Sequence, residues 1–554
     1  MGLKNLKLIS IILVIFSLTT YAKLPKFKYA VYFVDKKGTS YAVSEPKKFL
    51  SDRALVRRLK QNIPITEKDL PVSQTYLDSL KWFNAAVWYT SKWFNAAYVI
   101  CDSEEIKKIK ELSFVTKIQI LKNSIDTIQV NGRSQRKSKG PSKFRITTSQ
   151  YGGSANQIQM LCADQMHEEG YKGKDMLIAV FDGGFRNGNG LYYFDHLYKQ
   201  KRIIDTFDFV DRNRSVFDDG DSEHGTSVLS TIAAYAPGSL IGTAYEASFL
   251  LYRTEDEATE YPIEEFNWLL AAEKADSAGA DIINSSLGYT TFDDGALSYV
   301  YKDLNGKTTI VARAASHCAR VGMIVVNSAG NEGGKSWNYI SSPGDADSIL
   351  TVGSVDKDGN PSAFSGFGPT SDNRVKPDIS AKGSGTTIGK SSNTISTGNG
   401  TSFSSPVAAG FVAGMWQAFP ELNNIELINL IKKSSNLSAA PNNKSGWGIP
   451  CYTKAKIAYL AKENKLYAAS VSANIYPNPA TTGPIIFGVT QNDTGKTYRI
   501  EIFNTSASLL FSQVINNAQI SNELNLDIKS LSSGLYFVKV WNDEFSRIYR
   551  LVKN

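Results

Sequence analysis

The sequence has 554 residues, of which 42% are hydrophobic and 21% are charged, and this composition is that of a globular protein and excludes a disordered chain. The length suffices for about three or four domains, and four cysteines are too few for a dense disulfide framework. Residues 23–148 carry 25 Lys and Arg against 11 Asp and Glu, whereas residues 149–554 carry 34 against 42. We interpret the basic front piece as one that associates electrostatically with the acidic remainder, in preference to one that binds nucleic acid.

The first residues have the pattern of a signal peptide. Lys4 and Lys7 precede an apolar run from Leu8 to Leu18, and the small residue Ala22 ends the segment. We therefore predict a signal peptide over residues 1–22, cleaved on export, in preference to a buried helix. No later run reaches the ~20 apolar residues that a membrane helix needs, so we expect no transmembrane segment after its removal.

Residues 23–121 alternate strand-like runs with charged helical runs, which predicts a small α+β module. Within it the hexapeptide KWFNAA occurs at 81–86 and again at 92–97, which indicates a local duplication or two similar strands. Residues 122–149 are polar and basic and show no apolar periodicity. We predict that they form an exposed linker, a kind of segment in which proteases cut.

Residues 150–465 alternate near-continuous apolar runs with helical stretches, which predicts an α/β fold with a doubly wound, mostly parallel sheet. On such sheets, ligands bind at the carboxyl ends of the strands. Residues 470–554 consist of short β-rich runs separated by Gly, Asn and Ser turns, which predicts a small β-sandwich.

Four polar residues stand where peptide-bond chemistry would need them. Asp182 ends an apolar strand, His224 begins a helix of small residues, and Ser402 lies between glycine and a small-residue helix whose N-terminus favours a developing negative charge. Asn331 follows another strand, where its amide can donate to an oxyanion. Taken singly, each has a plain alternative: a turn, a surface or core histidine, an N-cap, or an asparagine turn.

Together these residues follow the order Asp, His, Ser, which is that of subtilisin. The segment of about 150–460 resembles the subtilisin-like (subtilase) family in seven stretches that occur in family order: Ile178-Ala-Val-Phe-Asp182, His224-Gly-Thr, Ser285-Ser-Leu-Gly288, Ser328-Ala-Gly-Asn331, Phe364-Ser365, Lys376-Pro-Asp378 and Gly400-Thr-Ser402.

The resemblance implies a secreted serine endopeptidase that forms an acyl-enzyme and requires no cofactor or catalytic metal. Asp182, His224 and Ser402 would be the catalytic triad, and Asn331 with the Ser402 N–H would form the oxyanion hole. Ser286, Leu287 and Gly288 match the segment that pairs with the substrate backbone by strand addition. The alternative is a catalytically silent subtilisin-fold binding protein at the cell surface.

The flanking segments carry resemblances of their own. Residues 23–121 resemble the inhibitory propeptide of subtilisin-like enzymes, with processing expected within 122–149. The tail opens with Tyr476-Pro-Asn-Pro479 and resembles the C-terminal sorting domain of the type IX secretion system of Bacteroidetes, although an adhesive or carbohydrate-binding module is an alternative. Expected partners are therefore protein or peptide substrates, the chain's own propeptide and the secretion machinery, at the outer surface of a Gram-negative bacterium or outside it.

Three points stay open at this stage. Between Asp182 and His224 stand Asp205, Asp208, Asp211, Asp218, Asp219 and Asp221, which allow a structural calcium, but a solvated acidic loop explains them as well. The pairing of the cysteines is undetermined. Tyr289 and the run Ser341 to Pro343 are candidates for lining the pocket that precedes the scissile bond, and since none is charged we expect a broad or apolar preference.

Overall fold

The computed structural model describes residues 25–123, 150–218 and 220–467, and, nearer the C-terminus, residues 472–476, 478–481, 485–490, 497–516, 523–541 and 546–554. The predicted signal peptide and almost all of the predicted linker lie outside these residues. Within the described segments, no helix combines the length and the apolar character needed to cross a membrane.

Residues 25–123, the N-terminal module, form one antiparallel four-stranded sheet in the order β2-β3-β1-β4, with helices beside it. Its elements are β1 (Lys26–Phe33), α1 (Asp52–Lys60), α2 (Gln74–Lys81), β2 (Ala86–Ser91), β3 (Ala96–Asp102), α3 (Ser103–Lys110) and β4 (Val115–Lys122). The two KWFNAA copies are turns that lead into β2 and β3. Asn84 and Asn95 hold the same place in them and both have the left-handed backbone that asparagine tolerates, with φ of 56° and 49°.

The central domain is built on a parallel sheet of seven strands in the order β13-β12-β11-β10-β5-β9-β6. Both faces are covered, and for this reason the strands read as apolar runs: all six residues of the inner strand β5 are buried. The elements are α4 (Ala155–Gln159), α5 (Ala163–Glu168), β5 (Leu177–Asp182), α6 (Asp195–Lys199), β6 (Ile203–Asp208), α7 (Glu223–Ala233), β7 (Tyr235–Ala236), β8 (Leu240–Ile241), β9 (Ser248–Arg253), α8 (Pro262–Ala278), β10 (Ile282–Ser285), α9 (Ile310–Arg320), β11 (Ile324–Ser328), β12 (Leu350–Val355), β13 (Ile379–Lys382), β14 (Thr386–Lys390), β15 (Thr394–Gly398), α10 (Thr401–Ala418), α11 (Asn424–Ser434) and α12 (Tyr452–Tyr467).

Two apolar cores lie on the two faces of this sheet. One contains residues of α7 and α10, and the other contains residues of α8 and α9. The predicted doubly wound α/β fold is therefore confirmed. Cys162 and Cys451, 289 positions apart, form a disulfide between the start of α5 and the segment before α12. Cys101 and Cys318 are buried free thiols.

The N-terminal module packs on α8 through apolar and ionic contacts. Tyr98 of β3 belongs to the same buried cluster as Phe266 of α8. Asp276 of α8 is fully buried and accepts hydrogen bonds from Arg57 and Arg58 of the module. The charge difference seen in the sequence therefore includes pairs buried at this interface.

The C-terminal segment forms two small antiparallel sheets, in the orders β16-β17-β20 and β19-β18-β21-β22. Their strands are β16 (Ser472–Tyr476), β17 (Ile485–Thr490), β18 (Thr497–Phe503), β19 (Leu509–Asn516), β20 (Glu523–Leu526), β21 (Gly534–Trp541) and β22 (Ser546–Lys553). This architecture agrees with the predicted strand-rich tail.

Candidate active site

Asp182 and His224 meet at the carboxyl edge of the central sheet. Asp182 is the last residue of β5, is 1% exposed, and accepts a hydrogen bond from the Gly183 N–H at 2.9 Å. His224 is the second residue of α7, and its Nδ1 lies 2.9 Å from Oδ1 and 3.0 Å from Oδ2 of Asp182. A Cβ on Gly225 would lie 2.1 Å from the Gly184 carbonyl oxygen, so only glycine allows α7 to approach β5 this closely.

The electrostatic environment favours the protonated imidazole. Burial by itself lowers the pKa of His224, but the carboxylates of Asp182 and, more weakly, Glu257 outweigh it and raise the pKa above its ordinary value of 6.5. Glu257 also accepts a hydrogen bond from the Ser222 hydroxyl. Its side chain and that of Ser222 occupy the space beside Gly183, where a Cβ would lie 3.1–3.3 Å from them.

Ser402 is the second residue of α10, which begins at Thr401. Pro406 is the sixth residue of this helix and therefore lies beyond its first turn. Pro406 has no N–H to donate to the carbonyl four residues earlier, which is that of Ser402. The Ser286 hydroxyl donates to this free carbonyl at 3.0 Å, so the proline allows a contact between α10 and the segment after β10.

The Ser402 hydroxyl lies in the first turn of α10, beside the segment that follows β10. Its Oγ is 3.5 Å from the Ser286 carbonyl oxygen and makes no hydrogen bond to the imidazole of His224 in this structure. The His224 ring lies 6.0 Å, between centroids, from the ring of Phe403, the next residue of α10. Hydrogen bonds of this kind are often long in the absence of substrate.

Asn331 is oriented by Thr401, a residue that the sequence reasoning did not single out, although it stands inside the Gly-Thr-Ser stretch. The Thr401 N–H and Oγ1 both donate to Asn331 Oδ1, at 2.9 and 3.0 Å, and Thr401 Oγ1 accepts from the Gly330 N–H at 3.2 Å. Because its oxygen is occupied in this way, the amide presents its NH2 group as the available donor.

The segment Ser286 to Gly288 runs from β10 past the start of α10. Asn327 Nδ2 donates to the Leu287 carbonyl at 3.3 Å, which holds the segment against β11. A Cβ on Gly288 would lie 2.0 Å from Ser341 Oγ, so the Ser341 hydroxyl fills the space beside this glycine. Tyr289 is 1% exposed and donates to Glu255 at 2.6 Å, so its ring is part of the core instead of an open pocket wall.

The acidic residues of β6 and of the loop between β6 and α7 are tied to basic side chains. Asp208 and Asp211 accept from Arg253 at 2.8 and 2.7 Å, and Asp205 pairs with Lys274 at 3.0 Å. Among the residues that the structure describes, which exclude position 219, no three His, Cys, Asp or Glu side chains are grouped so as to hold a metal ion. These carboxylates thus have protein partners where a calcium ion would need them free.

Comparison with known families decides the identity of the central domain. The model of the Subtilase family matches residues 173–448. Residues 173–448 are a subtilase-family domain. The model of the Peptidase S8 propeptide domain of Bacteroidota matches residues 28–139, and that of the Secretion system C-terminal sorting domain matches residues 474–554. These flanking domains indicate that this subtilase is secreted or at the cell surface of a member of the Bacteroidetes.

Individual relatives are distant and match this subtilase over different spans. Subtilisin-like protease SBT6.1 of Arabidopsis thaliana is 27% identical over 58% of this chain, which spans 28% of that protein. Subtilisin DY of Bacillus licheniformis is 26% identical over 50% of this chain and 90% of its own length. The crystal structure of MycP1 with the N-terminal propeptide removed has a TM-score of 0.43 and 22% identity, over 54% of this chain and 96% of that one.

Proposed function

We propose that this protein is a secreted serine endopeptidase in which Ser402 is the nucleophile, His224 the general base and Asp182 the carboxylate that orients the imidazole. The observation that carries the proposal is the hydrogen bond from His224 Nδ1 to the buried Asp182 carboxylate, with the imidazole 6.0 Å from the ring of Phe403, the residue after Ser402 in the first turn of α10. The subtilase-family match and the subtilisin relative support a serine-type endopeptidase.

In the proposed reaction, His224 Nε2 takes the proton from Ser402 Oγ while Oγ attacks the substrate carbonyl carbon. The C–N bond then breaks, the imidazole returns its proton to the leaving amine, and water releases the acyl group by the same steps. The Asp182 carboxylate keeps the Nδ1–H tautomer and stabilises the imidazolium that forms. No metal or cofactor takes part.

The oxyanion would be met by the Asn331 amide and the Ser402 N–H. The first N–H groups of a helix lack partners within the helix, and their dipoles favour negative charge. Thr401 supports this role for Asn331, because it occupies the amide oxygen and leaves the NH2 group to donate. Ser286, Leu287 and Gly288 would pair with the substrate backbone on the acyl side of the scissile bond.

The N-terminal module would act as the inhibitor of the enzyme before processing, since it packs on α8 through a buried interface. Processing is expected within residues 122–149. The sequence allows a structural calcium near the acidic loop without requiring one, and equilibrium dialysis with labelled calcium would decide between an ion and a solvated loop.

Labelling by a serine-reactive phosphonate tests the proposed activity and separates it from a silent binding protein. We expect the processed form to be labelled at one site per chain, and labelling to be lost in Ser402→Ala. The matched control is Ser404→Ala, two positions along the same helix, where a buried hydroxyl donates to the Thr401 carbonyl at 3.1 Å. Absence of labelling in the processed protein, or equal labelling of Ser402→Ala, would contradict the proposal.

A further inference from the structure

A cavity of about 480 Å³ lies between the N-terminal module and α9, and no residue of the proposed triad lines it. The module contributes Lys68 and the aromatic pair Trp93 and Phe94, which belong to the second KWFNAA copy. The first copy leaves its tryptophan, Trp82, 84% exposed, whereas Trp93 is 6% exposed. The second copy is therefore buried where it meets the central domain, whereas the tryptophan of the first copy faces solvent.

The α9 wall of the cavity is a single helical stripe. Arg313, Ser316, His317 and Arg320 are spaced by three, four and seven residues from the first, which places them on one face of the helix. The His317 and Trp93 rings are 4.6 Å apart between centroids, and the Arg313 guanidinium lies 4.3 Å from the centre of the Phe94 ring. Aromatic rings of the module therefore hold this stripe in place.

The charged side chains that line the cavity are mostly cations. Lys68, Lys307, Arg313 and Arg320 line the cavity with a single carboxylate, Asp347. None of the four cations forms an ion pair with any described residue, although pairs of this kind are common elsewhere at the interface. Like charges brought together without counter-charges repel one another, so the docked state holds an unbalanced positive cluster.

Three uncharged polar groups also line the cavity: the His317 ring, the Ser316 hydroxyl and the Trp93 N–H. Burial lowers the pKa of His317 to about 4, so this ring is neutral at pH 7 and can donate or accept one hydrogen bond. Ser316 Oγ and Trp93 Nε1 are buried and have no hydrogen-bond partner within the described part of the chain. The Ser316 hydroxyl is a rotatable donor beside two arginines, which is a suitable group for an oxyanion.

We propose that this cavity binds a small multivalent anion, of the pyrophosphate or tricarboxylate class, which bridges Lys68 of the module and Arg320 of α9. Arginine forks match phosphate and carboxylate groups, and lysine adds a point charge. The volume suits a small molecule. A ligand that binds only the docked state stabilises it by mass action, so the anion would slow departure of the module. This last consequence rests on the proposed function, in which departure of the module activates the enzyme.

The test is a calorimetric titration of the full chain carrying Ser402→Ala with pyrophosphate, and separately with citrate, at constant ionic strength. We expect saturable binding of at least one of them, and each of Lys68→Gln and Arg320→Gln should raise its Kd at least fivefold. The matched control is Lys302→Gln, an exposed lysine five positions before Lys307 that does not line the cavity, and its Kd should stay within twofold.

Three results would overturn the proposal: no saturable binding of either anion, equal weakening by Lys302→Gln, or tighter binding of hexaglutamate than of both small anions. In the active protein, pyrophosphate should slow release of the module at least fivefold relative to sodium chloride of equal ionic strength. Because the titration uses an inactive variant, it reports on the site even if no proteolysis occurs. Failure of the proposed function would appear instead as absence of any processing in the active protein.

Discussion

Replacing Asp276 by asparagine removes the carboxylate that pairs with both Arg57 and Lys92 at the interface between the N-terminal module and α8. Burial by itself would raise the pKa of Asp276, but the neighbouring cations lower it to about 2. A carboxyl group with a lowered pKa stabilises the docked state above its unfolded pKa of about 3.9, and this contribution is lost as the pH falls towards 2. At neutral pH the ion pairs are fully formed.

The free-energy cost of Asp276→Asn depends on which partners Arg57, Arg58 and Lys92 retain in the variant. Breaking a buried ion pair costs about 3–5 kcal/mol, because it leaves an uncompensated charge. Arg58 keeps Asp69 at 2.8 Å, and Arg57 keeps the carbonyl of Val321 at 3.2 Å. Lys92 keeps the hydroxyl of Ser277 and the face of the Trp93 ring, neither of which carries a charge. We therefore expect the lower end of the range, about 3 kcal/mol, or roughly a 10²-fold rise in the opening equilibrium of the module.

Native-state hydrogen exchange in the Ser402→Ala chain measures this opening. The backbone N–H groups of Lys92 and Trp93 donate to Glu273 of α8 at 2.9 and 3.0 Å, so their exchange requires the module to leave the helix. We expect their exchange to be about 10²-fold faster in Asp276→Asn. The control is Asp52→Asn, whose pair with Lys47 is exposed on both sides and should change exchange little. Equal exchange in the two variants would refute the assignment of this binding energy to Asp276.

Three further predictions concern the proposed reaction. Because the pKa of His224 is raised above 6.5, the neutral base forms at higher pH, so the acidic limb of kcat/KM against pH should have its midpoint above 6.5 and should move to lower pH in Glu257→Gln; an unmoved midpoint would contradict the influence of Glu257. Gly288→Ala should lower kcat/KM at least tenfold through its clash with Ser341, and Ser341→Gly should restore much of it; absence of any rescue would show that the clash is not the cause. Asn331→Ala should lower kcat about 10²–10³-fold with little change in KM, and an unchanged kcat would count against an oxyanion role.

Much of the architecture was predictable from local patterns in the chain. The inner strand β5 reads as a continuous apolar run because both of its faces are buried, and the run stops at Asp182, where the strand ends at the sheet edge. His224 and Ser402 stand at helix starts that small residues and glycines make recognisable. These signals depend on a few neighbouring residues, and for this reason one sequence suffices to find them.

Other features were decided by the tertiary structure alone. Pro406 leaves the Ser402 carbonyl without a partner inside α10, and the hydroxyl of Ser286, 116 positions before Ser402, donates to that carbonyl. The Arg57–Asp276 pair joins residues 219 positions apart. Such contacts exist only after distant segments have packed, since burial and mutual exclusion of water decide which polar groups must pair, and no local pattern in the chain records the outcome.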